Sequence, residues 1–208
     1  MSLQKFMAAQ FRQPTGWFGS LVMTRMMNRV NRKIAERTIE LLQINAGDRI
    51  LEIGFGGGVA LSLLLEQRKG GEITGVDFST GMVRQAKKKF ANAIAGGRLQ
   101  LNEGEVTRLP CADERFTRVF TINTLYFWPD AKQGLREIRR VLAEGGRVAV
   151  SIRSKEKMEK YGVTKHGFTL YSGEEVARLM LETGFREVQV DRQDPDHWYD
   201  QVIILATR

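Results

Sequence analysis

Segments with the character of strands and of helices alternate along most of this chain. Parallel strands that lie side by side need a crossover, usually a helix, so the alternation predicts an α/β fold with a largely parallel sheet and helices on both faces. The last two predicted strands have no helix between them, which predicts an antiparallel pair at one edge. The predicted strands are 49–53, 72–77, 98–102, 117–123, 147–152, 187–192 and 201–207, and the predicted helices are 21–43, 59–68, 80–95, 131–142 and 174–183.

The composition fits one structural unit. The chain has 208 residues, of which 42% are hydrophobic and 27% charged, enough for a single full-sized core. We expect a helical segment over 1–45 and the sheet over 46–208. No apolar stretch is long enough to cross a bilayer, and the N-terminus lacks a secretory pattern. The single cysteine, Cys111, cannot form an internal disulfide, so we expect a cytoplasmic protein.

The formal net charge of +8 favours anionic partners, such as nucleic acid, a phospholipid surface or an acidic small molecule. The basic residues are spread along the chain and are densest over 25–37 and 153–165. A solvated basic surface that keeps the protein in solution is at least as good an interpretation. The charge alone therefore selects no partner, and the sequence leaves the oligomeric state open.

The first predicted strand, I-L-E-I, is followed by the glycine-rich turn G-F-G-G-G, with Gly54, Gly56 and Gly58 at alternate positions. Such glycines permit positive φ angles and close approach of a ligand, although they also fit a tight strand–helix connection. Val59 occupies the sixth place of the dinucleotide pattern G-x-G-x-x-G, where glycine is typical. Glu52 adds a negative charge just before the turn. A carboxylate there suits a ligand with an ammonium group better than a nucleotide phosphate.

Acidic residues follow the next two predicted strands as well. The carboxyl ends of adjacent parallel strands line one crevice, so Asp77 can accept hydrogen bonds from both hydroxyls of a ribose, with a helix cap as the alternative. Phe78 can pack on an adenine face, or simply in the core. Glu105 can accept from an adenine amino group while the Val106 N–H meets a ring nitrogen. Taken alone, Glu105 also fits an ordinary surface residue.

Several blocks of this sequence resemble the class I S-adenosylmethionine-dependent methyltransferases, above all the small-molecule group that includes the ubiquinone/menaquinone C-methyltransferases. The resemblance extends from about residue 47 to residue 189, and the blocks have the family's order and spacing. The blocks are L-E-I-G-F-G-G-G (51–58), G-V-D-F-S (75–79), G-E-V-T-R-L-P (104–110), R-F-T-R-V-F-T-I-N-T-L-Y-F-W-P-D (115–130), E-I-R-R-V-L-A-E-G-G-R (137–147) and L-Y-S-G-E-E-V to T-G-F (170–185).

The resemblance implies a Rossmann-like sheet of seven strands, S-adenosyl-L-methionine as cofactor, S-adenosyl-L-homocysteine as product, and no metal ion. In the family the first block holds the methionine moiety and the position of Asp77 binds ribose. The adenine-binding position usually carries aspartate, and here it is Glu105. After the fourth strand the family often reads L-H-H-W, whereas this chain reads L-Y-F-W, so no histidine is present there.

Methyl transfer from a sulfonium is an in-line displacement with a good leaving group, so positioning supplies much of the acceleration. A general base is needed only when the acceptor loses a proton as it reacts. Tyr126, directly after the fourth strand, is the candidate catalytic or substrate-contact residue, and we expect Asn123 near the methionine group. Tyr161 and His166 are further candidates for contact with the substrate, although a surface position is the plainer interpretation of His166.

The N-terminal segment is a candidate lid over a small hydrophobic or anionic acceptor, with Trp17 and Phe18 as its apolar contacts. Packing of this helix on the sheet is an equally good interpretation. A third is peripheral contact of a basic amphipathic helix with an anionic membrane, which would suit a lipid or quinone precursor as acceptor.

Three rival functions remain at this stage. A nicotinamide-dependent oxidoreductase can share the fold, but Glu52, Val59 and the 104–110 block argue against it. A nucleic-acid methyltransferase fits the charge, yet no Asn/Asp-Pro-Pro-Tyr/Phe block follows the fourth strand. A cofactor-binding protein without enzymatic activity would result if Tyr126 and its neighbours block the methyl group.

Overall fold

The computed structural model describes residues 20–67, 70–192 and 200–208. The helices are α1 (Ser20–Leu41), α2 (Val59–Glu66), α3 (Thr80–Lys89), α4 (Ala91–Ala95), α5 (Ala131–Val141), α6 (Lys155–Met158) and α7 (Gly173–Glu182). The strands are β1 (Arg49–Ile53), β2 (Glu72–Asp77), β3 (Leu99–Glu103), β4 (Phe116–Ile122), β5 (Leu142–Arg153), β6 (Arg186–Arg192) and β7 (Gln201–Thr207). Short 3-10 turns cover Leu125–Phe127 and Gly162–Lys165. None of the helices in these ranges is long and apolar enough to cross a membrane.

The seven described strands form one sheet in the order β3-β2-β1-β4-β5-β7-β6. The first five strands pair in parallel, whereas β7 lies antiparallel between β5 and β6. This confirms the predicted α/β, Rossmann-like sheet with its antiparallel edge. The chain order reverses direction at β1, so the carboxyl ends of β1, β2 and β4 border one crevice, where open α/β sheets bind ligands.

Both faces of the sheet are covered. Helices α1, α2 and α3 pack on one face, and α5 and α7 pack on the other. In α1, the side chains of Ile34, Ala35 and Ile39 are buried at the spacing of one helical face, so this half of the helix belongs to the core.

Side-chain caps fix where several helices begin. Ser79 accepts a hydrogen bond from the Met82 N–H at the start of α3, and Asp130 accepts one from the Gln133 N–H at the start of α5. Ser172 forms a capping box with Glu175 at the start of α7. The caps at Ser79 and Asp130 fix the loops that follow β2 and β4 at the carboxyl edge of the sheet, and the cap at Ser172 fixes the end of the connection after β5.

Two predicted elements differ in the structure by more than one or two residues at an end. The helix predicted over 80–95 is divided at Phe90, whose backbone leaves the helical conformation while its buried ring packs under Gly58. The fifth strand is longer than predicted, because Leu142 already pairs with Phe116 directly after α5. In both places a tertiary contact sets the boundary of the element.

Candidate functional site

The glycine-rich turn leaves β1 with positive φ angles at Gly54, Gly56 and Gly58. A side chain at Gly54 would collide with the Thr124 methyl group, and one at Gly58 would lie 2.6 Å from the Phe90 ring. A Cβ at Gly56 would meet nothing within 4 Å. Glycine is thus required at the first and third positions by packing as well as by backbone angle, whereas Gly56 opens the turn towards the crevice.

Glu52 is buried in β1, directly before this turn, and its Oε2 has no hydrogen-bond partner. Burial, with a further contribution from the nearby Asp77 charge, raises the pKa of Glu52 to about 8, although the Leu61 N–H and the Lys89 charge oppose the shift. A buried oxygen without a partner is costly, so this position favours a ligand that brings a positively charged donor.

Asp77 ends β2 and ties the turn to the next strand. Its Oδ2 accepts a hydrogen bond from the Gly56 N–H at 2.8 Å, and its Oδ1 accepts one from the Ser79 N–H at 2.9 Å. Burial raises the pKa of Asp77, while these two hydrogen bonds act against the shift. Each carboxylate oxygen can accept a second hydrogen bond, so Asp77 can both hold the backbone and receive ligand hydroxyls.

The outer side of the crevice carries the predicted adenine contacts. Phe78 is 41% exposed. Glu105 is exposed in the loop after β3, where its backbone forms an isolated antiparallel β-bridge with that of Arg108, and Val106 is buried beside it. The Gly104 N–H donates to the Asp77 carbonyl at 3.1 Å, so this loop is held against the end of β2.

Lys89 also contacts the turn, which sequence reasoning missed. Its Nζ donates to the Gly57 carbonyl at 3.0 Å and lies 4.7 Å from the centre of the Phe90 ring. In the sequence, Lys89 ends a run of three lysines in a helix, a pattern typical of a solvated surface. Lys89 is the last residue of α3, next to the break at Phe90, and the sequence pattern revealed neither the break nor the contact with the turn.

Asn123 and Tyr126 lie where β4 ends. Asn123 has a φ of 57°, and its N–H donates to the Ser151 carbonyl at 2.8 Å. The Tyr126 hydroxyl donates to Asn123 Oδ1 at 3.4 Å and accepts from the Arg153 N–H. Burial raises the pKa of Tyr126 above its usual range, so the phenol stays protonated. Its geometry favours a role in positioning over a role as a general base.

The remaining predicted substrate contacts are distributed over a wider area. Tyr161 is 48% exposed, and the Arg153 guanidinium lies 6.0 Å from the centre of its ring. His166 is partly exposed in the connection between β5 and α7. Trp17 and Phe18 lie outside the described residues, so their role as a lid stays a prediction.

The site thus combines a buried carboxylate that lacks a partner, an open glycine turn and an acid at the end of the next strand. This arrangement fits a ligand with an ammonium group at one end and a nucleoside at the other. Glu52 would receive the ammonium group, Asp77 the ribose, and Phe78 with the 104–106 loop the base. S-adenosylmethionine has these three parts, and the Rossmann-like sheet with this site defines the class of proteins that bind it.

Comparisons with known proteins agree. Residues 51–150 match the family described as a methyltransferase domain. The Bacillus subtilis protein YrhH bears the name of a methyltransferase. It is 33% identical to this chain over 124 residues, which make up 60% of this chain and 68% of YrhH. A ubiquinone/menaquinone biosynthesis C-methyltransferase of Geotalea daltonii is 31% identical over 122 residues, 58% of this chain and 52% of its own length.

A solved S-adenosylmethionine-dependent methyltransferase from Aquifex aeolicus has the same fold, with a TM-score of 0.72 at 19% identity over 99% of this chain and 98% of that one. This chain therefore belongs to the class I S-adenosylmethionine-dependent methyltransferases. It spans between 40% and 68% of the length of several curated relatives.

Proposed function

We propose that this protein transfers the methyl group of S-adenosylmethionine to a small-molecule acceptor at the carboxyl ends of β4 and β5. The observation that carries the proposal is the unpartnered, buried Oε2 of Glu52 beside the glycine-rich turn. A dinucleotide would bring a phosphate to this turn, and its negative charge would oppose ionisation of Glu52 and offer Oε2 no donor. The ammonium group of S-adenosylmethionine would instead satisfy the orphaned oxygen.

When bound, the cofactor supplies an electrophilic methyl group on a sulfonium. The residues of this chain then have three tasks. Glu52 and Asp77 fix the two ends of the cofactor, and Asn123 borders the methionine end. Tyr126 holds the end of β4 against β5 through its hydrogen bonds to Asn123 and Arg153. With the cofactor and the strand ends fixed, the acceptor and the methyl group are aligned for in-line transfer. This alignment is the source of the acceleration.

The aromatic rings at this end of the sheet support an acceptor with an apolar body. The ring of Phe127 lies 4.7 Å from that of Phe168, and both rings lie 6.1 Å from Tyr126. Phe127 and Phe168 are only partly buried, so the cluster extends to the surface. We propose that the part of residues 1–45 ahead of the core-packed half of α1 covers this region as a lid, with Trp17 and Phe18 facing the acceptor.

A second candidate is a quinone precursor or lipid methylated at a membrane surface. The likeness to the Geotalea daltonii C-methyltransferase favours it, and so does the net charge of +8. Flotation with anionic liposomes tests this alternative. Equal recovery of the full chain and of a variant starting at Asn31, which keeps the core-packed half of α1, would contradict it. In the first candidate the protein acts on a dissolved acceptor in the cytoplasm.

Isothermal titration with S-adenosylhomocysteine and, separately, with NAD tests the proposed cofactor. We expect S-adenosylhomocysteine to bind and NAD to give no heat above dilution. Transfer of labelled methyl groups to a panel of small acceptors, with plasmid DNA and bulk RNA as further acceptors, tests the reaction. Binding of NAD with comparable affinity, or methylation confined to the nucleic acids, would contradict the proposal.

A further inference from the structure

Three polar side chains share one face of the sheet where β5 ends. Side chains two residues apart in a strand point to the same face, so Ser151 and Arg153 lie on the same side of β5. Gln201 begins β7 and is paired directly opposite Arg153 in the antiparallel register. Directly opposed residues have their Cβ atoms about 5 Å apart, so the two side chains lie side by side.

Two polar atoms of this group are buried without a hydrogen-bond partner: Nε of Arg153 and Oε1 of Gln201. Gln201 is only 1% exposed, and the other atom of its amide donates to the Ser151 hydroxyl. A buried donor or acceptor that finds no partner is expensive, and native structures contain few of them. A donor and an acceptor left open side by side indicate that a ligand completes the group.

Asp200, which directly precedes Gln201, does not pair with Arg153. Asp200 accepts a hydrogen bond from the Ser154 hydroxyl, and the Lys157 ammonium lies 3.9 Å from it. No ion pair involving Arg153 is found within residues 20–67, 70–192 and 200–208. The planar guanidinium group of Arg153 is therefore available to pair with a ligand. The Tyr161 ring covers one of its sides.

The position of this group connects it to the acceptor. The Arg153 N–H donates to the Tyr126 hydroxyl, which in turn bonds to Asn123 at the end of β4. Tyr126 therefore links Arg153 to the end of β4, the region where the proposed function locates the methyl transfer. A group bound to Arg153 would leave the remainder of the same molecule next to the aromatic rings.

We propose that Arg153 binds an oxyanion, a carboxylate or a phosphate, carried by the methyl acceptor, and that Gln201 accepts a hydrogen bond from a neighbouring hydroxyl or N–H of that molecule. This inference rests on the proposed function, because it names the class of acceptor for that site. A guanidinium matches the planar, two-oxygen face of such groups and pairs with them in a bidentate manner. The aromatic cluster then contacts the apolar body.

Titration of small aromatic probes into protein saturated with S-adenosylhomocysteine tests the inference. Benzoate supplies a carboxylate, phenyl phosphate supplies a phosphate, and benzamide is the neutral control. We expect at least one anion to bind at least tenfold more tightly than benzamide, and the better of the two identifies the group. Arg153→Met should weaken that binding at least tenfold, and Arg153→Lys should restore part of it. Lys165→Met, a matched loss of charge in the same connection, should change it less than twofold.

Gln201→Glu gives an independent test that does not remove the arginine. The new carboxylate would lie opposite Arg153 and occupy its fork from within the protein, so binding of the anions should fall at least tenfold while binding of S-adenosylhomocysteine stays unchanged. Anions that bind no better than benzamide to protein that still binds S-adenosylhomocysteine would overturn the inference and leave the proposed function standing. Failure of the wild-type protein to bind S-adenosylhomocysteine would instead overturn the proposed function.

Discussion

Replacement of Glu52 by glutamine separates the effect of this side chain on folding stability from its effect on cofactor binding. In the ligand-free protein the pKa of Glu52 is about 8, against 4.5 for the unperturbed group, mainly because the carboxylate is buried. The carboxyl group is thus protonated in the native state at neutral pH, while it ionises in the unfolded chain. The unfolded state binds fewer protons between these two pKa values, so stability falls as the pH rises through this interval.

The size of the effect follows from the two pKa values. Linkage gives a penalty of about 1 kcal/mol at pH 5, which grows to about 4 kcal/mol at pH 8. Glutamine has nearly the same shape as the protonated acid and cannot ionise. Its amide N–H groups still need partners, which costs the variant about the same at both pH values. The increase between pH 5 and pH 8 is therefore the diagnostic quantity.

Thermal unfolding of the ligand-free protein measures this increase. For a domain of this size 1 kcal/mol corresponds to about 2–4 °C, so Glu52→Gln should gain about 10 °C over the wild type between pH 5 and pH 8. Glu156→Gln, at an exposed position in α6, is the matched control and should follow the wild type at both pH values. A Glu52→Gln midpoint that stays parallel to the wild type across this range would refute the buried, protonated glutamate.

Cofactor binding should respond in the opposite direction. Glu52 must lose its proton to pair with the ammonium group of S-adenosylhomocysteine, so wild-type affinity should rise by about tenfold per pH unit from pH 5.5 towards the pKa. A charge-assisted hydrogen bond contributes about 1.5–3 kcal/mol, so Glu52→Gln should bind at least about tenfold more weakly at pH 7.5. The variant should also lose the pH dependence. Equal affinities with the same pH profile would show that Glu52 does not contact the ligand.

Two further substitutions probe the turn itself. Gly58→Ala adds a Cβ 2.6 Å from the Phe90 ring at a φ of +68°, whereas Gly97→Ala adds one at +69° with nothing within 4 Å. Urea denaturation should show about 1 kcal/mol of strain for Gly97→Ala and about 2 kcal/mol more for Gly58→Ala, and equal losses would contradict the packing argument. Lys89→Met removes a positive charge that lowers the pKa of the buried glutamate, so the pH at which S-adenosylhomocysteine binding levels off should rise. Lys88 is an exposed neighbour in α3, and Lys88→Met should leave that pH unchanged. A shift of equal size in this variant would show that the effect comes from net charge alone.

The sequence predicts the positions of Glu52 and Asp77 well for a physical reason. Both stand at the ends of short apolar strands, whose limits are visible in the pattern of residues, and parallel pairing brings neighbouring strand ends together. In the structure Glu52 pairs with Gly75, the next pair is formed by Ile53 and Val76, and Asp77 follows Val76 directly. No long-range information beyond the order of the strands is needed to place these two acids at one crevice.

The positions of Lys89 and Arg153 could not be predicted in the same way. Each lies in a stretch rich in basic residues, which resembles a solvated surface. Lys89, the last residue of α3, contacts the Gly57 carbonyl, and the ring of the next residue, Phe90, packs beneath Gly58. Arg153 stands beside Gln201 only because β7 enters the sheet next to β5 out of chain order. Both depend on contacts between residues far apart in the sequence.

The burial of Glu52 connects the stability of the protein with its binding. Attraction between opposite charges is stronger where water is excluded, so a buried carboxylate binds an ammonium group more tightly than an exposed one. The same exclusion of water makes an ionised Glu52 unfavourable in the empty site, and the pKa of Glu52 is raised for this reason. Lys89 offsets part of this cost, but its Nζ is held at the Gly57 carbonyl and it does not give Oε2 a partner. A closer lysine would stabilise the empty protein and compete with the ligand, so its present distance leaves the charge of Glu52 for the cofactor.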